Sequence, residues 1–175
     1  MTYGGAELRT LDVMRAIDPR EVRFHFCTLS GQDGTLDDTI RAAGGTVNPC
    51  PLDLGFPHRF ARLLTEREID VVHSHVHYPS GLMMRVAARR RVPVRVTHFR
   101  NTHDGRRLTP RRRAQRALLR RWIDRYATDI LAVSEGAMSE AWHPAGRRDG
   151  RCRVIYNGID IEAFAGPADP AGVRD

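Results

Sequence analysis

The 175-residue chain predicts an α/β fold of the doubly wound, Rossmann-like kind, a single domain with a parallel sheet and helices on both faces. Three observations lead there. Short apolar, β-branched runs alternate with longer amphipathic stretches. The densest groups of His, Arg, Asn and Gly follow those runs directly, where a parallel sheet places its ligand crevice. The length fits one domain core and is short for two.

The expected strands are Val22 to Cys27, a short one at Thr46 to Asn48, Ile69 to Ser74, Val94 to Thr97, Ile130 to Val133 and Arg153 to Tyr156. Their brevity suits strands buried on both faces. Between them, Thr35 and Asp38 have capping-box spacing ahead of Ile40, and Gly44-Gly45 supplies a helix stop. Pro57 and Pro79 suit first helical turns. Phe56, Phe60, Leu63 and Leu64 form one apolar face, and Leu82, Met83, Val86 and Ala87 another. The longest helix is expected from Pro110 to Tyr126, capped by Thr109, with Leu118, Leu119, Trp122, Ile123 and Tyr126 facing the core and Arg113, Arg116 and Arg120 on the other side. Ser134 is expected to cap a shorter helix. At the beginning, Tyr3-Gly4-Gly5-Ala6-Glu7 runs straight into a helical pattern, so the first, central strand of the sheet is expected to be missing.

Composition bounds the partners. Apolar residues at 41% and charged residues at 28% are globular values. The net charge of +7 comes wholly from arginine and favours anionic partners without choosing among phosphates, nucleotide sugars, nucleic acid and anionic lipid. No apolar run reaches the roughly 18–20 residues of a membrane span, and no secretory leader pattern opens the sequence, so a cytoplasmic protein is expected. Cys27, Cys50 and Cys152 have neither disulfide-framework nor zinc-site spacing.

The candidate chemistry lies at strand ends. Gly4 and Gly5 would let backbone approach a phosphate or sugar at a helix N-terminus, or would form a plain turn. In VVHSHVHYPSGL, His73, His75 and His77 alternate and could point the same way. With no Asp, Glu or Cys beside them no metal site is expected, and His75 is read as a hydrogen-bond partner for sugar or phosphate. RVTHFRNTHDG concentrates His98, Arg100, Asn101, His103 and Asp104 behind another strand, as groups able to hold phosphate or orient hydroxyls. Ser134 and Glu135 open a helix, where capping competes with ligand contact. Asn157-Gly158 reads as a turn.

Taken in order, GGAE, DVVHSH, RVTHFRNTHD, ILAVSEG and VIYNGID resemble the N-terminal domain of family 4 glycosyltransferases over roughly Thr2 to Phe164. The resemblance implies a two-domain enzyme of the GT-B type that moves a sugar from a nucleotide-sugar donor to an acceptor with retention of anomeric configuration. It implies that Gly4 and Gly5 line the cleft near the donor phosphates, that His75 lies on the cleft wall and that His98, the catalytic candidate, stands near the reacting sugar. Arg100 and Asn101 then belong with substrate binding, in a stretch most like bacterial enzymes of surface glycans, and Ser134 and Glu135 with the cleft edge. No cofactor is implied.

Residues 1–164 are thus expected to be the acceptor-side domain and 165–175 a linker or tail. With no second domain after it, the chain is expected to be inactive alone, or to act with a separately encoded C-terminal domain or as a non-catalytic acceptor-binding module. The acceptor is expected to be a glycan or lipid-linked. The arginine-rich stretch from Arg106 to Arg125 is read either as a solvated face or as a contact for anionic membrane at the inner surface; nucleic acid is not expected, because exposed aromatics are not interleaved with the charge.

Overall fold

The structure is a computed structural model and describes residues 5–32, 34–102, 109–142 and 149–158. Among these, helices and strands alternate as the sequence predicts. The order is α1 (Gly5–Ala16), β1 (His25–Thr28), α2 (Asp37–Ala42), β2 (Thr46–Pro49), α3 (Phe56–Glu66), β3 (Val71–Ser74), α4 (Ser80–Arg89), β4 (Val94–Phe99), α5 (Pro110–Tyr126), β5 (Asp129–Ala132), α6 (Glu135–Ala141) and β6 (Cys152–Val154).

Every strand pair is parallel. β1 pairs with β2, while β3, β4, β5 and β6 form a second sheet in that order. Successive strands therefore run outward in both directions from the interval between β1 and β3. That interval is the topological switch point, where open α/β sheets bind ligands. Among the described residues no strand bridges it, and a cavity of about 410 Å³ lies there. Phe24, Phe26 and Leu29 line it from the β1 side and Val72, His73 and Met83 from the β3 side.

Local chemistry moved several boundaries. β1 begins three residues later than expected because Asp18 accepts from the backbone N–H of Glu21 and Val22 and holds the Arg20 guanidinium, keeping that stretch in a turn. β3 begins at Val71 because Glu68 takes a positive φ of 49° and Ile69 N–H returns to Leu64, which finishes α3. Thr35 does not cap α2. Leu36 occupies that position, and the Asp37 carboxylate accepts from Gly34 N–H at 3.0 Å instead. Gly44, at φ 86°, stops α2 as expected. Thr109 and Ser134 cap α5 and α6, accepting from Arg112 N–H and Ala137 N–H at 3.3 and 3.1 Å.

Two hydrophobic clusters hold the elements. The larger joins Phe56 and Phe60 of α3, Met84 of α4, Phe99 of β4, Ile123 of α5, Ile130 of β5 and Trp142 after α6. The smaller joins α1 to the two-stranded sheet through Leu11, Met14, Phe26, Leu36 and Ile40. α5 turns Leu119, Ile123 and Tyr126 to the core as expected and departs from the expected face in part. Leu118 is exposed, while Arg116 and Arg120 turn inward. Arg116 lies 4.2 Å over the Tyr78 ring and donates to its hydroxyl; Arg120 lies over Trp142 and donates to that residue's carbonyl. Long guanidinium stems can cover aromatic faces while the charge finds acceptors, so these arginines substitute for apolar packing.

No described helix is long and apolar enough to cross a membrane. The domain limit expected after residue 164, and the tail of residues 165–175, lie outside the described residues.

α4 and α5 approach so closely that a Cβ on Gly81 would stand 2.1 Å from the Leu119 carbonyl oxygen. Backbone cannot yield there as a flexible side chain would. Gly81→Ala is expected to lower stability by about 1–3 kcal/mol in urea denaturation. Gly136→Ala, whose Cβ would meet only Ser134 Oγ at 3.9 Å, should not. Equal effects at both sites would disprove the close-packing account.

Candidate active site

Because all strands run the same way, the segments that leave β3, β4, β5 and β6 emerge along one edge. The β3–β4 register sets their alignment: Val71 faces Val94, His73 faces Val96 and Ser74 faces Thr97. Continued by one residue, it puts His75 beside His98. Side chains two apart on a strand share a face, so His73, His75 and His98 converge on one.

The rings of His73 and His98 stack 5.3 Å apart with planes 4° from parallel, and His73 Nε2 lies 3.2 Å from His98 Nδ1. His75 completes the group, its centroid 4.2 Å from His73 and 5.3 Å from His98. Beneath them the turn into α4 is rigid: the hydroxyls of Ser74 and Ser80 share a buried hydrogen bond of 2.8 Å. His77 does not join. Its φ of 57° turns the chain, and its ring packs edge-on against Tyr78 and Phe99.

Loss of hydration keeps these imidazoles uncharged. It lowers His98 to about 4, with the charges of His73 and Arg100 acting the same way. His75 falls to about 3, again chiefly through burial and then through His73, Arg100 and His98. His73 shifts in the same direction, although it stays exposed on its groove side, where water softens the effect. A neutral imidazole offers one N–H and one lone pair, so the group suits hydroxyls and other neutral or electron-poor partners. His98 is 5% exposed, and its Nε2, like His75 Nδ1, is buried without a hydrogen-bond partner among the described residues.

Arg100 leaves the end of β4 and donates to Asn157 Oδ1 at 2.7 Å, tying the β4 exit to the β6 exit. Arg9 of α1 reaches the same exit, donating to the Gly158 carbonyl at 2.8 Å. The first helix is thereby brought to the strand-end edge. Gly5 opens that helix; Gly4, His103 and Asp104 lie outside the described residues. Asn101 is exposed just beyond Arg100. Ser134 and Glu135 stand at the neighbouring β5 exit, where the Ser134 hydroxyl is committed to the α6 cap and Glu135 is exposed in the first turn.

The structure thus brings His75, His98 and Arg100 together and leaves Ser134 and Glu135 at the next strand end. It adds His73, which the alternating motif already contained, and Asn157, whose part in holding Arg100 had no local signal. Asn157 sits in a motif whose evident reading is a turn.

Fold and site together define a Rossmann-like domain with a cluster of histidine and arginine side chains at its strand ends. Residues 3–163 match the profile of Glycosyltransferase Family 4, and the chain belongs to that family. It is similar to the capsular polysaccharide biosynthesis glycosyltransferase CapH of Staphylococcus aureus, 37% identical over 167 residues, which cover 92% of this chain and 45% of that protein. It is also similar to EpsF of Bacillus subtilis (strain 168), 29% identical over 171 residues, covering 94% of this chain and 44% of that one. Among solved structures, Anabaena Alr3699/HepE in complex with UDP has the same fold, with a TM-score of 0.68 at 21% identity across 94% of this chain and 44% of its own. The chain spans a little under half the length of these relatives.

The uncharged histidines make stability depend on pH in a defined direction. Unfolded imidazoles protonate near 6.5, so between that value and about 4 the unfolded chain binds protons that folded His75 and His98 refuse. Their contribution is complete above pH 6.5 and declines as the pH falls through this window. His98→Gln should reduce the acid-side slope of unfolding free energy by about one proton. Urea denaturation at several pH values would measure it, and an unchanged slope would contradict neutral burial.

Proposed function

We propose that this chain forms the acceptor-side half of a retaining glycosyltransferase that moves a sugar from a nucleotide-sugar donor to a glycan or lipid-linked acceptor. The observation that carries this is the grouping of His75, His98 and Arg100 at the exits of β3 and β4, next to the switch point of the sheet. Family membership supports the reaction class. The UDP bound in the Anabaena structure and the polysaccharide role in the name of the Staphylococcus relative support the donor and acceptor classes.

The residues divide the work by charge. Arg100, steadied by Asn157, attracts a phosphate or carboxylate on the incoming substrate without itself requiring protonation. His98, held uncharged, takes a sugar hydroxyl by hydrogen bond and orients it at the reacting centre. His75 walls the same space. Gly5, the first residue of α1, and Gly4 before it in the sequence are assigned to phosphate binding through backbone N–H groups. Asn101 and the β5 exit at Ser134 and Glu135 border it. Charge developing on the departing nucleotide diphosphate needs stabilising donors, and a second domain, in the same chain or separate, would supply them across the cleft. These 175 residues by themselves are therefore expected to bind acceptor and not to turn over donor.

The test is acceptor binding by the purified chain, with glycan or lipid-linked saccharide titrated in a calorimeter. Arg100→Ala should weaken binding about tenfold or more, the usual cost of a lost hydrogen bond to a charged group. In parallel, donor hydrolysis and transfer are followed for the chain alone. Release of nucleotide diphosphate by the chain alone would overturn the half-enzyme reading; failure to bind any saccharide would overturn the acceptor side.

A further inference from the structure

We infer that His73, His75 and His98 form a binding site for a divalent transition-metal ion, with Zn²⁺ the best match in chemistry. One ligand nitrogen from each of the three lies within 4.8 Å of the other two. The pair already in contact, His73 Nε2 and His98 Nδ1, is 3.2 Å apart. Two nitrogens bound tetrahedrally to zinc at about 2.0–2.1 Å are separated by roughly 3.3–3.4 Å, so this spacing needs almost no adjustment.

The other facts agree with a ligand set. His75 Nδ1 is buried without a hydrogen-bond partner among the described residues, and a buried unpaired polar atom costs about 1–3 kcal/mol unless something occupies it. The rings are carried on paired strands and a short exit turn, whose register holds them in place without the ion. Among the described residues the set is three imidazoles with no fourth protein ligand, which leaves an open position, as in zinc sites that exchange a water or anion. Arg100 is the charged group beside the cluster. It disfavours a bare cation and favours one whose open position carries an anion, hydroxide or a phosphate or carboxylate oxygen.

The sequence pattern concealed this set. The alternation suggests His73, His75 and His77, but His77 turns away and His98 arrives from the adjacent strand in its place. An ion there would occupy the lone pair that His98 otherwise offers to a hydroxyl, so metal loading and acceptor binding compete. The site itself stands whether or not the chain takes part in sugar transfer, because its readouts do not involve turnover.

The untagged full chain, freed of metal by chelation, is dialysed against Zn²⁺ and analysed for bound metal, then titrated with Co²⁺ while the visible spectrum is recorded. One ion per chain and the intense visible bands of a tetrahedral cobalt site are expected. His75→Ala and His98→Gln should each weaken binding about tenfold or more, since each removes one of three ligands. His58→Ala, on the exposed face of α3, should leave it unchanged. Far-UV circular dichroism identifies variants that have kept the fold, and His75, which lies past the end of β3, is the substitution least able to disturb strand pairing. No stoichiometric metal, or binding indifferent to both His75→Ala and His98→Gln, would overturn the inference.

Discussion

Val71 opposite Val94 and Ser74 opposite Thr97 are unremarkable pairs, yet everything at the crevice follows from them. A parallel ladder slipped by one residue would send every side chain of β3 to the other face. His73 and His75 would then enter the interior beside Met83, and Ser74 would lose Ser80. The register is defended by that interior. Val72 and Ser74 are buried on the α4 side, with Ser74 bonded to Ser80, so the alternate positions have no choice but the crevice face. Packing on one side of a strand thus places the polar groups on the other.

The chemistry of the site is an outcome of the same burial. A histidine in water would be partly protonated near neutral pH and would join Arg100 as a second positive charge. Enclosed between β3 and β4, His75 and His98 give up their protons, and Arg100 remains the cationic member of this group. One charge and several neutral donor–acceptor rings form a crevice that can hold an anion and a hydroxyl side by side. Arg100 is in turn steadied by Asn157 and the adjoining backbone by Arg9, so hydrogen bonds link the β4 exit, the β6 exit and α1. The groove beside them lies at the point where strand order reverses.

Arginine has a structural use here beyond charge. Arg116 and Arg120 lie on Tyr78 and Trp142, and Arg85 lies 4.4 Å over Trp122. α5 is consequently fixed to the domain through guanidinium–aromatic contacts and the Gly81 close approach, with Ile123 its fully buried aliphatic anchor. This is why its helical pattern and the inward Leu119, Ile123 and Tyr126 were legible but the inward arginines were not. Apolar periodicity assigns arginine to solvent, and in this chain several arginines have aromatic faces to cover.

By itself the sequence determined the alternation of parallel strands and helices, the caps at Thr109 and Ser134 and the concentration of polar residues at strand ends. Each is a local property, carried by β-branched runs, capping side chains and residues adjacent in the chain. The family was legible for the same reason, since its motifs are contiguous segments in order. Only the tertiary structure decided that His98 replaces His77 beside His73 and His75, that Asn157 holds Arg100 and that Arg116 turns inward. Those contacts join residues 25, 57 and 38 positions apart, and strand register and side-chain packing, not neighbouring residues, bring such partners together.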